Sequence, residues 1–158
     1  MQPRARLAGL SLKGRALRLL SQREHSRLEL SRKLAAHAES AQQLEILLDA
    51  LEQEKWLSAE RFAQSVAHRR GERFGVRRIE QELQAHRLEP GATAEVLDAL
   101  RQSERERAFE IWARRFGVLA TEPMERARQQ RFLLQRGFSG DTISWVLRRA
   151  REIAQTES

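Results

Sequence analysis

The chain has 158 residues, a formal net charge of +7 and no cysteine. Disulfides and thiolate metal sites are therefore excluded, and no window approaches ~18 uninterrupted apolar residues, so no membrane span is expected. The length suits one domain or a few small units, and a pI of about 11.1 points to an acidic partner, nucleic acid first.

Taken in chain order, residues 1–11 form a basic arm whose cations continue through Lys13, Arg15 and Arg18. The opening stretch lacks the continuous apolar run and small-residue cleavage site of a signal peptide, and a cytoplasmic protein is expected. Nine short helices are then predicted, over 12–22, 26–37, 41–54, 58–71, 75–87, 90–101, 103–117, 122–136 and 140–154. Leu44, Leu47, Leu48 and Leu51 are spaced i, i+3, i+4, i+7, as are Phe109, Trp112, Ala113 and Phe116, and this places each set on one helix face. Ser26 with Glu29, Ser40 with Gln43, and Ser103 with Glu106 read as capping boxes, while Pro90 and Pro123 suit first helical turns. No stretch shows sustained period-two alternation, so the fold class expected is all-α.

The helices recur in threes. Leu30, Leu34, Leu47, Leu48 and Leu51 return 49 residues later as Ile79, Leu83, Val96, Leu97 and Leu100. Leu83, Val96, Leu97 and Leu100 return 50 residues further on as Leu133, Val146, Leu147 and Ala150. For the first helices the offset is 46, from Leu17 and Leu20 to Ala63 and Val66 and on to Phe109 and Trp112. Such a period describes a helical array. Three tandem three-helix repeats are expected, at 12–57, 58–102 and 103–158, sharing a core in an elongated, curved body. Charge alternates with the same rhythm: residues 1–38 carry nine basic and two acidic side chains, and residues 39–60 balance to −5.

The stretch RRGERFGVRRIEQEL, Arg69 to Leu83, concentrates five arginines at a helix entrance. Gly71 is expected to end one helix in the left-handed conformation, and Gly75 to permit a close approach. The difference between offsets 46 and 49 puts three extra residues in this turn. Arg77 and Arg78 stand in the first turn of the next helix, where the dipole disfavours cations, and the same helix end offers N–H groups to an anion. Arg69, Arg70, Arg73, Arg77 and Arg78, with Arg32 and Lys33 of the first repeat, are the candidate binding residues. An ordinary solvated basic turn, or pairing with the acidic third helices, would also account for them. Phe74 fits either a contact residue or a core plug. Trp56, Trp112 and Trp145 read as core anchors, and His25, His68 and His86 as surface or partly buried helix residues.

Enzymatic readings find little support. GLSLKGRA has the glycine spacing of a phosphate loop, but Arg15 and Ala16 stand where lysine and a hydroxyl are needed, and no strand precedes it. His37 and Glu39 open a zinc-deaminase pattern whose cysteines are absent. No catalytic residue, metal site or cofactor is expected.

The stretches KWLSAERFAQSVAHRR, FGVRRIEQEL and RFLLQRGFSGDTISWVL, in this order and spacing, resemble the RecX family of bacterial RecA modulators. The resemblance runs from Leu12 to Ile153 and is most specific at Glu60–Ala63, at Gly75 with Arg77, Arg78, Ile79 and Leu83, and at Phe132–Leu134 with Arg136, Gly137 and Phe138. Ser58 and Ala59 stand where family members often carry an acidic residue, and the chain has no tyrosine, which the family uses in its third unit. The resemblance implies three tandem three-helix repeats and binding in or along the groove of the RecA–DNA filament, and the recurring offsets lead to the expectation of a monomer. The resemblance also implies inhibition of strand exchange, ATP hydrolysis and filament growth in DNA repair and recombination, with no chemistry of its own; weak, sequence-independent DNA contact is expected from the net charge of +7 and the lack of a sequence-reading motif. The alternative is a stand-alone helical nucleic-acid-binding protein, since three-helix units can present a recognition helix.

Overall fold

The computed structural model describes residues 9–158, in which eight α-helices and no strand are found. They are α1 (Leu12–Gln22), α2 (Arg27–Leu34), α3 (Ala41–Gln53), α4 (Ala59–Gly71), α5 (Val76–Ala85), α6 (Pro90–Arg115), α7 (Pro123–Gln135) and α8 (Gly140–Thr156), with a 3₁₀ turn at Ala35–His37. The arm residues Arg4 and Arg6 lie outside the described residues. Ser26 and Ser40 cap α2 and α3 by accepting the Glu29 and Gln43 amides, and Gln43 Oε1 accepts from the Glu39 amide at 2.7 Å. Pro90 and Pro123 each open a helix, where the missing N–H has no intrahelical partner to lose.

One expected break is absent. Residues 90–101 and 103–117 belong to a single helix of 26 residues, and Ser103 caps nothing. Its hydroxyl donates back to Leu100 O at 3.2 Å. That is the back-bond of a helix interior. No glycine or proline lies between Ala92 and Phe116, so nothing in the covalent chain stops the helix.

The apolar positions that recur in the sequence build three separate cores. Leu30, Leu34, Leu48 and Leu51 lie in the first, with α1–α3 around it. Ile79, Leu83, Leu97 and Leu100 lie in the second, among α4, α5 and the first half of α6. Leu133, Val146, Leu147 and Ala150 lie in the third, among the second half of α6, α7 and α8. Helix packing follows the same division: α2 lies against α1 and α3, α4 against α5 and α6, and α8 against α6 and α7. The units therefore follow one another in a row. The long helix α6 serves two cores in succession and couples the last two units covalently as well as by packing.

Three sequence expectations change here. Trp56 is 54% exposed. After α3 both the Trp56 and Leu57 amides donate to Leu51 O, at 2.9 and 3.1 Å, and this turn sends Leu57 inward (3% exposed) and Trp56 out. Trp112 is buried and Trp145 half-buried, so two of the three tryptophans are core residues. His25 is buried to 1% exposure and lies in the α1–α2 connection, not on a helix. The three extra residues near Arg69 also do not widen a turn. Adding the offset of 46 to Gln22, the last residue of α1, reaches His68, yet α4 runs on to Gly71. The connections 23–26 and 72–75 are equally long, so the extra residues lengthen the helix.

The first connection carries an acid-sensitive contact. His25 Nδ1 lies 3.0 Å from Arg23 O and its Nε2 3.2 Å from Lys33 Nζ. Burial holds the imidazole below its ordinary value, partly opposed by the bond to Arg23 O. Glu29 receives two bonds from the Arg23 guanidinium, at 3.0 and 2.6 Å, and this pairing pulls its carboxyl down to about 2. Both groups bind more protons unfolded than folded in acid. Stability from His25 is complete above about pH 6.5 and falls as pH drops toward its lowered value, and that from Glu29 falls from about pH 4.5 toward 2. Melting curves at pH 7.5, 5.5 and 4 should therefore show a falling melting temperature, and Glu29→Gln should flatten the limb below about pH 4.5. A melting temperature that is flat or rises on acidification contradicts this.

Candidate functional site: the basic junction between the second and third units

The Arg69–Leu83 stretch lies where the second and third units meet. Here the backbone of the α4–α5 connection touches the backbone after α7. Gly75 N–H donates to Arg136 O at 2.8 Å, and a Cβ on Gly75 would stand 2.4 Å from Gly137 O. Gly137 has φ +89°, and a Cβ there would lie 2.6 Å from Arg78 Cβ. The close approach expected at Gly75 is thus real, and its partner is a second glycine from the next unit. Gly71 plays no such part. It is the last residue of α4, and the glycines of positive φ among the described residues are Gly117 and Gly137.

Two polar residues of α6 hold the junction, and neither stands out in the sequence. Arg107 is half-buried and donates to Gly71 O and Phe74 O, both at 2.8 Å, to Leu100 O at 3.0 Å and to Ser103 Oγ at 3.0 Å. Burial holds its pKa below the ordinary arginine value, partly opposed by the nearby Glu104 charge. Glu104 Oε1 accepts the Val76 amide at 3.1 Å, and its Oε2 accepts the Thr142 hydroxyl at 2.6 Å. One carboxylate therefore sits at the N-termini of α5 and α8, where helix dipoles favour negative charge. It occupies an N–H of the α5 entrance that the sequence alone leaves open to an external anion, and it offsets the dipole conflict of Arg77 and Arg78.

The candidate arginines separate by environment. Arg70 Nε lies 3.2 Å from Glu82 Oε2, a partner on α5 and not on an acidic third helix. Pairing with a third helix occurs instead in the first unit, where Arg27 meets Glu45, Asp49 and Glu52. Arg78 stacks on the Phe74 ring, with its guanidinium carbon 4.0 Å from the centroid, and donates to Gln135 O at 3.4 Å. Phe74 is half-buried against the second core, so it is a plug whose outer surface carries guanidinium groups. Arg69, Arg73 and Arg77 are exposed, and among the described residues they form no ion pair. Arg32 and Lys33 are not part of this cluster. They lie on α2 in the first unit, where Lys33 lines a separate cleft with Arg15 and Arg18.

Arg114, Arg115 and Arg136 join the junction from the third unit, and Arg136 lies 5.5 Å from the Phe74 ring centroid. Nothing in the sequence places them beside Arg73, because they lie far along the chain from it with no shared spacing. Only the pair Arg136-Gly137, soon after the apolar run Phe132-Leu133-Leu134, offers a helix-end signal. Among the described residues no group of three or more His, Asp or Glu is placed to hold a metal ion, and no helix is long and apolar enough to cross a membrane.

A row of three-helix units with a basic, glycine-sealed junction defines an all-helical tandem-repeat protein. The family model for the third three-helix domain of RecX matches residues 103–147. The regulatory protein RecX of Leptothrix cholodnii is 53% identical over 141 residues, covering 89% of this chain and 90% of its own. That of Herminiimonas arsenicoxydans is 50% identical over 143 residues, covering 90% and 95%. The crystal structure of RecX from Lactobacillus salivarius superposes with a TM-score of 0.76 at 17% identity, covering 89% of this chain and 94% of that one, and so shares the fold. The chain belongs to the RecX family of regulatory proteins.

Proposed function

We propose that this chain is a non-enzymatic, monomeric, cytoplasmic regulator that binds the RecA–DNA filament and inhibits RecA recombinase, ATPase and filament growth. Its working parts on this reading are the arm 1–11 and units 12–57, 58–102 and 103–158. The observation that carries it is the set of exposed cations Arg69, Arg73 and Arg77, without an ion pair among the described residues, on a junction held rigid by Arg107, Glu104 and two glycines. Unpaired guanidinium groups on a fixed backbone suit forked contacts to carboxylate or phosphate with little ordering cost. Arg70 and Arg78 orient this surface, while Arg32 and Lys33 provide a second basic contact, apart from it, on the first unit. DNA alone is held electrostatically, so the logarithm of its binding constant should fall linearly with the logarithm of salt concentration. Binding that survives high salt or prefers one sequence would favour the stand-alone nucleic-acid reader.

The decisive comparison is Arg69→Ala with Arg77→Ala, a better pair than Arg77 and Arg78 because Arg78 packs on Phe74. Folding should be nearly unaffected, since exposed substitutions usually shift stability by less than about 0.5 kcal/mol. The concentration for half-inhibition of RecA ATPase should rise roughly tenfold or more, the scale of losing a charge-assisted contact. Unchanged inhibition with unchanged melting removes these arginines from the interface.

A further inference from the structure

A cleft of about 300 Å³ lies on the junction, between the 72–74 turn and the C-terminal ends of α6 and α7. Arg73, Arg114, Arg115 and Arg136 line it, Ile111 and Phe132 form its apolar wall, and Glu72 is its one carboxylate. Among the described residues none of the four arginines forms an ion pair. Two of them bond to neutral carbonyls: Arg114 Nη2 donates to Glu72 O at 3.5 Å and Arg136 Nη1 to Arg73 O at 3.3 Å. Such bonds fix the direction of a guanidinium and leave its charge uncompensated. Arg136 and Arg115 are further held against Phe132, with guanidinium carbons 5.0 and 5.8 Å from its centroid. Arg107 pins the turn that presents Arg73, through its bond to Phe74 O.

Four like charges converging on one concavity repel each other, and three different elements bring them there. A carboxylate ligand would engage one fork. A run of adjoining phosphates offers acceptors to several forks at once, and arginine geometry matches phosphate oxygens in pairs. The volume lies at the small end of the range for ligand clefts, which suits a short phosphate run and not a folded partner. The Phe132 ring is already covered, by Arg136 and, edge-on, by Phe116 at 5.3 Å, so no base is stacked there.

We propose that this cleft is an anion site for adjoining phosphate groups, supplied either by the polyphosphate tail of a free nucleotide or by the backbone of a single nucleic-acid strand. Binding needs no base recognition. Arg73 belongs to both this cleft and the filament surface proposed above, so a free polyphosphate held in the cleft competes with that surface for Arg73.

The test uses the full chain with no recombinase present, so its outcome is independent of the filament reading. Inorganic tripolyphosphate, ATP and a short oligothymidylate are titrated separately by calorimetry at constant ionic strength, with sodium sulfate as the control anion. Tripolyphosphate should bind at least tenfold more tightly than sulfate. Arg114→Gln, which loses only the long bond to the Glu72 carbonyl, should weaken it about tenfold while the melting temperature holds. Arg114→Ala with Arg115→Ala should weaken it further. ATP matching tripolyphosphate with weaker oligothymidylate identifies the free nucleotide as the source, and the reverse order identifies the strand. Tripolyphosphate binding no better than sulfate, or unaltered by Arg114→Gln, overturns the proposal.

Discussion

Gly75→Ala should lower the melting temperature by roughly 5–10 °C, although alanine adds a single methyl group. The backbone at Gly75 is ordinary extended chain, with φ −78° and ψ 167°. The cost is wholly steric. The new Cβ would stand 2.4 Å from Gly137 O and 2.7 Å from Phe138 N, and both are backbone atoms that no side-chain rotation can move. Relief requires the second and third units to part, which stretches the 2.8 Å bond from Gly75 N–H to Arg136 O. Overpacking of this kind costs about 1–3 kcal/mol, and loss of the hydrogen bond adds about 1 kcal/mol. At this chain length each kcal/mol is worth about 2–4 °C. Gly137→Ala should be worse, because φ +89° adds the strain of a left-handed residue to a Cβ 2.6 Å from Arg78 Cβ. The two changes should not add, since both open the same seam. Gly91→Ala is the control, with nothing within 4 Å of its Cβ, and it should leave stability level or raise it slightly. Equal melting of Gly75→Ala and Gly91→Ala would show that the seam does not hold the units together.

Arg107→Met should cost about 2–4 kcal/mol, and Arg107→Lys should recover little of it. Methionine matches the length of the stem but leaves Gly71 O and Phe74 O without donors in a half-buried site, at about 1–3 kcal/mol each. Relief of the desolvated charge offsets part of this loss. Lysine keeps the charge, but one ammonium cannot reach the end of α4, the 72–74 turn and α6 together as the planar guanidinium does. Melting curves give the stability, and hydrogen exchange around residues 72–76 should accelerate selectively as the turn loosens. Arg107→Met within about 0.5 kcal/mol of the parent would mean the turn is held by its packing alone. In either variant the exposed arginines remain, so any loss of the proposed RecA inhibition would report their placement and not their charge.

Much of the architecture was legible in the sequence because helices announce themselves locally. Ser26, Ser40, Pro90 and Pro123 mark starts through bonds within one turn. The leucine and isoleucine offsets mark core faces because each unit meets the same packing problem. Local rules failed where two choices were locally equal. Ser103 has the neighbours of a cap and the bond of a helix interior, and the packing of α6 against two cores decides for the latter. Trp56 and Leu57 are both apolar and adjacent, and only the turn onto Leu51 O chooses which faces inward. The basic site was half visible. Density of charge marked Arg69–Arg78, but charge alone does not separate Arg70, paired with Glu82, from Arg69 and Arg77, which have no such partner among the described residues.

By itself the sequence determined the helical class, the threefold recurrence and a basic segment at the entrance of α5. These follow from periodicity, capping chemistry and composition, which act over a few residues or repeat at a constant interval. Tertiary structure alone decided that Gly75 meets Gly137, that Glu104 serves two helix entrances, and that Arg73 shares a cleft with Arg114, Arg115 and Arg136. Those partners are distant in the chain and have no common spacing. Their meeting depends on how α6 carries the third unit across the end of the second, a relation set by the sum of many side-chain contacts and encoded at no single position.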